Sequence, residues 1–359
     1  MSRKLCCSLV LAFLFPILTP AQEKEFKAPH KIKRVAVSPD NKTVAVAGEG
    51  ISTTELSWFT IQTGERRGTV NVPTGVAGLA FSPDGKMIIT AGGPAARRPL
   101  RIWKLATGAE AIETQEHETV LFAFAIRYPT EKPKLLDPLK SDSSKSKSPP
   151  PDSSKGTPSL TPGIAATNGD TQGEIAIWDI RTGKVTQILK GHKGHVVNLA
   201  FLPDGRLISS EAADTDTGAD RILKIWDVAE KKQVGSFQCG RILALAPSPD
   251  GRMIAVWEAV GAVNALRLLD VKMDEEPLSL TIPKYGTHRP VLSFSPDSNY
   301  LAADYGGGAI VWDIKKREHV IWVRDIGAKC VAFTPDGGSL IVTSADTIRI
   351  YDMKNLLKK

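Results

Sequence analysis

Several short stretches carry residue types that chemistry uses. In 79-LAFSPDGKMIITAGG-93 a serine, an aspartate and glycines lie close together, as they would in a catalytic or phosphate-binding loop. In 214-DTDTGAD-220 carboxylates alternate around a glycine, the composition a calcium loop needs, because Ca²⁺ gathers about six to eight oxygens from a tightly curled backbone. Asp214, Asp216 and Asp220 would be its ligands, but Gly218 stands where a fifth-position ligand is usual and no bidentate glutamate follows. A solvated loop is the competing reading. The histidines of 192-HKGH-195 would need two more ligands to hold zinc, and the nearest cysteine, Cys239, lies well downstream. A turn leading into a strand explains them better. The triplet 41-NKT-43 fits a glycosylation acceptor only in a host that glycosylates secreted proteins in this way. No helix follows 305-YGGG-308 to seat an anion, so it reads as a hairpin connection.

The first stretch is not unique. Its turn recurs as 38-SPDN-41, 82-SPDG-85, 202-LPDG-205, 248-SPDG-251, 295-SPDS-298 and 334-TPDG-337. Each copy follows a short apolar run and precedes another, and a third run lies downstream, as in 100-LRIWKLATG-108, 174-EIAIWDIRTG-183 and 309-AIVWDI-314. Proline pre-sets φ at the first corner, aspartate tolerates the second, and glycine takes the left-handed position that closes the turn. Asn41 can occupy that position at modest cost. A period of about 40–47 residues with three or four short strands per unit predicts a β-propeller. Seven units are counted, giving an all-β fold of seven four-stranded antiparallel blades over 22–359. The third unit lacks the turn: 120-VLFAFAI-126 is separated from 163-GIAAT-167 by a segment rich in Ser, Lys and Pro. Such a composition cannot bury enough apolar surface to offset its ordering entropy, so residues 127–162 are expected to be a disordered insert within blade three.

These units resemble WD40 repeats. The resemblance rests on Trp-Asp at 178–179, 226–227 and 312–313, on Tyr351-Asp352, and on 191-GH-192 ahead of Val196. It implies that one chain end completes the last blade, and 22-QEKEFKAPH-30, which has no blade of its own, is available for that. Phe26 and its neighbours are expected to supply the outer strand of blade seven, which would remove an exposed sheet edge. The resemblance also implies a buried network of His, Ser or Thr, Asp and Trp. In blade four it maps onto His192, Ser210 (or its neighbour Ser209), Asp220 and Trp226. Blade three offers His117, Thr167, Asp170 and Trp178, blade seven keeps Ser344 and Asp346 beside Tyr351, and Leu269 takes the tryptophan place in blade five.

Such a network contains the residue types of a Ser-His-Asp catalytic set, but a nucleophile must be exposed beside an oxyanion hole. Residues that recur around a ring and end on a buried tryptophan are structural. No catalytic residue and no cofactor is expected, and the chain reads as a non-enzymatic scaffold. Recognition is expected on the face carrying the loops between second and third strands, several of which are longer than a hairpin needs. Arg97 and Arg98 would project there from blade two, and Trp257 and Glu258 from blade five, to meet a protein or peptide. Packing of Trp257 between blades is the alternative for that residue. A propeller that binds a small ligand or works as an enzyme through its central channel is the alternative for the whole chain.

Charge and the first residues bound the setting. The formal +7 suggests a nucleic-acid binder until it is divided. Arg3 and Lys4 account for two charges, and residues 127–162, with seven Lys/Arg against four Asp/Glu, for three more, which leaves about +2 on the remainder. That is not the basic groove that phosphates require. Arg3 and Lys4 precede an apolar run to Leu18 and then 19-TPA-21, the pattern of a secretory signal peptide. Cleavage after Ala21 would give a secreted or periplasmic protein with no membrane span, and an uncleaved anchor is the alternative. Cys239 and Cys330 fall in units that are not neighbours and read as buried or free thiols rather than a disulfide. A monomer is expected.

Overall fold

A computed structural model describes residues 24–49, 54–73, 75–92, 100–116, 123–128, 163–169, 173–212, 222–260, 263–272, 275–282, 290–305, 307–324 and 327–358. They form seven four-stranded antiparallel sheets, the blades of a β-propeller. In chain order the blades span 31–72, 76–112, 124–190, 196–238, 241–280, 292–324 and 328–352, the last completed from the other end of the chain. The expected leader, residues 1–21, lies outside the described residues. No described helix is long and apolar enough to cross a membrane.

The turns show how six of the blades begin. In each, the fourth residue donates its N–H back to the carbonyl of the first, for example Gly85 to Ser82 at 2.9 Å and Gly337 to Thr334 at 2.8 Å. That fourth residue sits at positive φ in every copy: Asn41 59°, Gly85 68°, Gly205 100°, Gly251 73°, Ser298 61° and Gly337 70°. Where the first residue is Ser or Thr, its side chain also locks to the third. Ser82 Oγ donates to Asp84 at 2.5 Å and accepts the Met87 N–H at 2.9 Å, while Asp84 accepts the Lys86 N–H at 3.0 Å. These bonds and the nearby Lys86 outweigh desolvation and hold the Asp84 carboxyl below its usual range. Asn41 spends its amide oxygen on the N–H of Asp336 in blade seven, 3.1 Å away, so its side chain serves the ring.

Second and third strands are buried almost throughout, whereas outer strands such as Lys184–Lys190 alternate between exposed and half-buried residues. A strand covered on both faces needs apolar residues at every position, not every second one. The core is accordingly divided into seven hydrophobic clusters among the described residues, one at each junction between adjacent blades. The third-strand aromatic packs against the preceding blade: Trp103 beside Ala45 and Ala47, Trp178 beside Ile89 and Ile102, Tyr351 beside Ala309 and Val311.

The strand Lys24–Lys27 closes the ring by pairing antiparallel with Thr347–Asp352, with Phe26 opposite Ile348. Phe26 packs on Phe59 of blade one at 5.5 Å between ring centroids, and Glu25 bridges to Arg349 at 3.0 Å. In blade three the strand Phe124–Arg127 pairs through Arg127 with Ile164, and Tyr128 packs beside Gly163. The blade therefore claims Arg127 and Tyr128, two residues that the sequence reading gave to the insert. Residues 129–162 lie outside the described residues.

Candidate functional site on the loop face

In blade four the end of the second strand and the loop leading into the innermost strand meet around His192. Its Nε2 lies 2.6 Å from Ser209 Oγ, which also accepts from Trp226 Nε1 at 2.7 Å. Ser209, not Ser210, therefore joins the network. Alternation in the strand turns Ser210 the other way, where its Oγ accepts from Asn198 at 2.9 Å. Burial drives the His192 imidazole down to about 3, aided by the charge of Lys224. The Glu211 carboxylate, 3.5 Å from Nδ1, favours the protonated ring, so burial is what keeps it neutral. Asp220, Asp214 and Asp216 lie outside the described residues, as do His117, Asp170, Arg97 and Arg98.

The tryptophan-to-hydroxyl bond repeats at one register. Trp103 donates to Thr90 and Trp178 to Thr167, each at 2.9 Å, as Trp226 does to Ser209. Blade two thus holds a pair that the sequence reading missed, because it has no preceding histidine to draw attention to it. In blade seven Ser344 instead accepts from Arg349 at 2.7 Å.

Three buried carboxylates tie down the loops that lead into the innermost strands. Glu211 accepts the N–H groups of Lys193 and Gly194 at 2.8 and 2.6 Å. Glu258 takes the N–H of Gly240 and the Arg267 guanidinium, and Asp304 takes the N–H of Val291. Glu258, expected to project as a binding residue, is 1% exposed, and its charge is spent on this clamp. Trp257, also 1% exposed, packs against Tyr305 and Trp312 at 5.8 and 6.4 Å between centroids. Neither residue is offered to a partner. The cause is strand length: the second and third strands of blade five run to Val260 and from Val263, so Trp257 and Glu258 lie inside the sheet. The exposed tip is Val260 and Val263 instead.

Five innermost strands carry a register shift near their start, with Lys33, Ala77, Val197, Leu243 and Lys329 as the extra residues. A bulge bends the strand and re-aims its side chains. At this end Lys31, Lys33, Arg241 and Lys329 are exposed, with Lys33 paired to Glu49. Arg34 donates from Nε to the Ala77 carbonyl at 2.7 Å. The loop-face end of the innermost strands is therefore basic in blades one, five and seven. In the sequence these strands stand out only as LAF-type triplets, yet 31-KIKR-34 and 328-AKC-330 belong to them.

Cys239 and Cys330 are free: Cys330 is buried and donates to the Lys33 carbonyl at 3.1 Å, and burial pushes its thiol up to about 12. Burial likewise raises Cys239 to about 11. Among the described residues no cluster of three or more His, Cys, Asp or Glu could hold a metal ion.

Residues 183–227 match the family model for the WD domain, G-beta repeat. The chain is 27% identical over 154 residues to "Small ribosomal subunit protein RACK1y" of Oryza sativa subsp. japonica, covering 41% of this chain and 43% of the relative. It is 34% identical over 106 residues to "WD repeat and SOCS box-containing protein 1" of Xenopus tropicalis, covering 29% and 23%. It is also 28% identical over 101 residues to "Periodic tryptophan protein 2" of Saccharomyces cerevisiae, covering 28% and 10%. The chain thus spans less than half the length of these curated relatives. The fold is a seven-bladed β-propeller, and residues 183–227, which reach from the outer strand of blade three through the third strand of blade four, match a WD repeat within it.

Proposed function

We propose that this propeller is a non-catalytic scaffold that binds a protein or peptide partner through its loop face, outside the cytoplasm after removal of residues 1–21. The observation that carries the reading is the exposed basic rim formed by Lys31, Arg241 and Lys329, with the apolar tip at Val260 and Val263 in the same blade as Arg241. Cations next to exposed aliphatic groups suit a protein surface, where charge steers the encounter and apolar contact holds it. The titratable groups of the blade-four network are buried and engaged in holding the ring, which suits a scaffold more than a reaction. Arg97 and Arg98 belong to the same face in this proposal, and the protein acts as a monomer without nucleic acid.

The test is crosslinking on the exported fraction of the native host, with N-terminal sequencing of the captured protein. A mature start at Gln22 and one recovered partner are expected. Arg241→Glu with Lys329→Glu should weaken that partner at least about tenfold without moving the thermal transition, and Arg97→Ala with Arg98→Ala should act likewise. Lys86→Glu with Arg252→Glu, on the turn face, should change nothing. Partner loss from the turn-face pair alone would overturn the assignment of the face, and capture only in the cytoplasm would overturn the location.

A further inference from the structure

Blade three lacks the turn sequence of the other six, and a cleft lies between it and blade four. At three other junctions of the turn face, the proline of one turn packs on the left-handed glycine of the next. A Cβ on Gly85 would come 3.9 Å from Pro39 Cδ, one on Gly251 3.6 Å from Pro203, and one on Gly337 3.5 Å from Pro296. Between blades three and four, among the described residues, the neighbour of the left-handed glycine is not a proline. The guanidinium of Arg127 takes the place instead: a Cβ on Gly205 would meet its Cζ, Nη1 and Nη2 at 2.9, 3.0 and 3.1 Å. Near-equal distances to all three atoms mean that the planar group lies flat on the glycine. Beside it is a cavity of about 480 Å³, within the range of sites that take small ligands or a few side chains.

The acceptors around this cleft are already occupied. Asp204 takes the Arg206 side chain at 2.8 Å and its N–H at 3.0 Å. Asp227 accepts the Glu230 N–H at 2.9 Å, and Gln187 donates to the Val228 carbonyl at 2.8 Å. Arg127 is different. Burial raises the Asp204 carboxyl, but Arg206 and, to a smaller extent, the charge of Arg127 bring it below its usual range; none of the five Arg127 donors has an acceptor among the described residues. Ile164, Ile177 and Val228 give the cleft apolar walls. A planar cationic fork without a protein acceptor among the described residues, at the edge of an apolar cavity, matches a carboxylate attached to an aliphatic group.

From this we infer that the cleft between blades three and four is a second binding site, on the face opposite the basic rim. It takes an acidic side chain of an extended peptide, with Arg127 gripping the carboxylate and the aliphatic neighbour resting on Ile164, Ile177 and Val228. The site is independent of the loop-face reading, since none of its residues lies on that face.

The test uses the full mature chain and the peptide acetyl-Val-Asp-Leu-amide, titrated while the Arg127 Nε–H and Gly205 N–H resonances are followed. Saturable shifts at both are expected, with acetyl-Val-Asn-Leu-amide binding at least about tenfold more weakly. Arg127→Met should lose the preference for the acidic peptide, and Arg127→Lys should keep part of it, because lysine supplies charge without the fork. A chain lacking residues 132–160 should bind the acidic peptide with unchanged affinity. Equal binding of both peptides, shifts confined to the loop face, or tighter binding only after that deletion would each overturn the inference, the last by identifying the chain's own segment as the occupant.

Discussion

Two buried rings converge on Ser209 Oγ, and its neighbour Ser210 meets only the half-buried amide of Asn198. Ser209→Ala leaves Trp226 Nε1 and His192 Nε2 buried without their partner. A buried unsatisfied group costs about 1–3 kcal/mol, so the urea midpoint should fall by an amount in that range at constant slope. Ser210→Ala should cost less, about 1 kcal/mol or below. The reverse order would return the network to Ser210. His192 adds a dependence on pH. Its folded-state value, near 3, lies below the ordinary 6.5, so between those values the unfolded chain binds a proton that the folded chain refuses. Stability is therefore full above about pH 6.5 and declines as pH falls toward about 3, by up to about 1.4 kcal/mol per unit. Measured unfolding free energies for the native chain and His192→Gln should converge across that window. Parallel curves would show that the imidazole titrates normally. The residue types of this network were legible from sequence, but the choice between two adjacent serines was not, because only the pairing with Trp226 tells which face of the strand each occupies.

At the scale of elements, the turns were fully legible, since their chemistry is contained in four residues. Proline, aspartate and a left-handed fourth residue can be read without knowing what lies across the sheet. Even Asn41 and Ser298 follow the rule, at φ 59° and 61°. The innermost strands were read only in part. A bulge adds one residue and breaks the alternation, so 31-KIKR-34 looks like a charged approach rather than a strand. Glu258 was misread for a related reason. A carboxylate near a strand end looks solvent-bound until the loop across from it is seen to present an N–H, as Gly240 does. Long-range geometry of that kind leaves no mark in local sequence. The short helix Met353–Leu357 was also missed: its N-cap, Asp352, accepts the Asn355 N–H at 2.9 Å, yet the same aspartate reads as the end of a Trp-Asp-like pair.

At the scale of the molecule, seven apolar junctions and one clasp of chain ends share the task of holding the ring. The clasp can be tested alone. Removing residues 24–28 takes away Phe26, the Glu25–Arg349 bridge and the bond from the Ala28 N–H to the Asp346 carbonyl at 2.7 Å. It also bares the edge of Thr347–Asp352, and a bare edge recruits other strands. The truncated chain should melt several degrees lower, a loss of the size that follows from a few kcal/mol. It should also elute as concentration-dependent oligomers in light-scattering chromatography. A monomer with an unchanged transition would show that blade seven stands on three strands.

The clasp also sets an order of events while the protein is being made. Lys24–Lys27 leaves the ribosome long before Thr347–Asp352, the strand it must join. At roughly 5–20 residues per second the first strand waits tens of seconds for its partner. Throughout that interval the ring has no means of closing, however well its middle blades have formed. Until the partner strand arrives, the edge of Lys24–Lys27 stays open, so the last junction to close is also the one where a wrong strand could pair first.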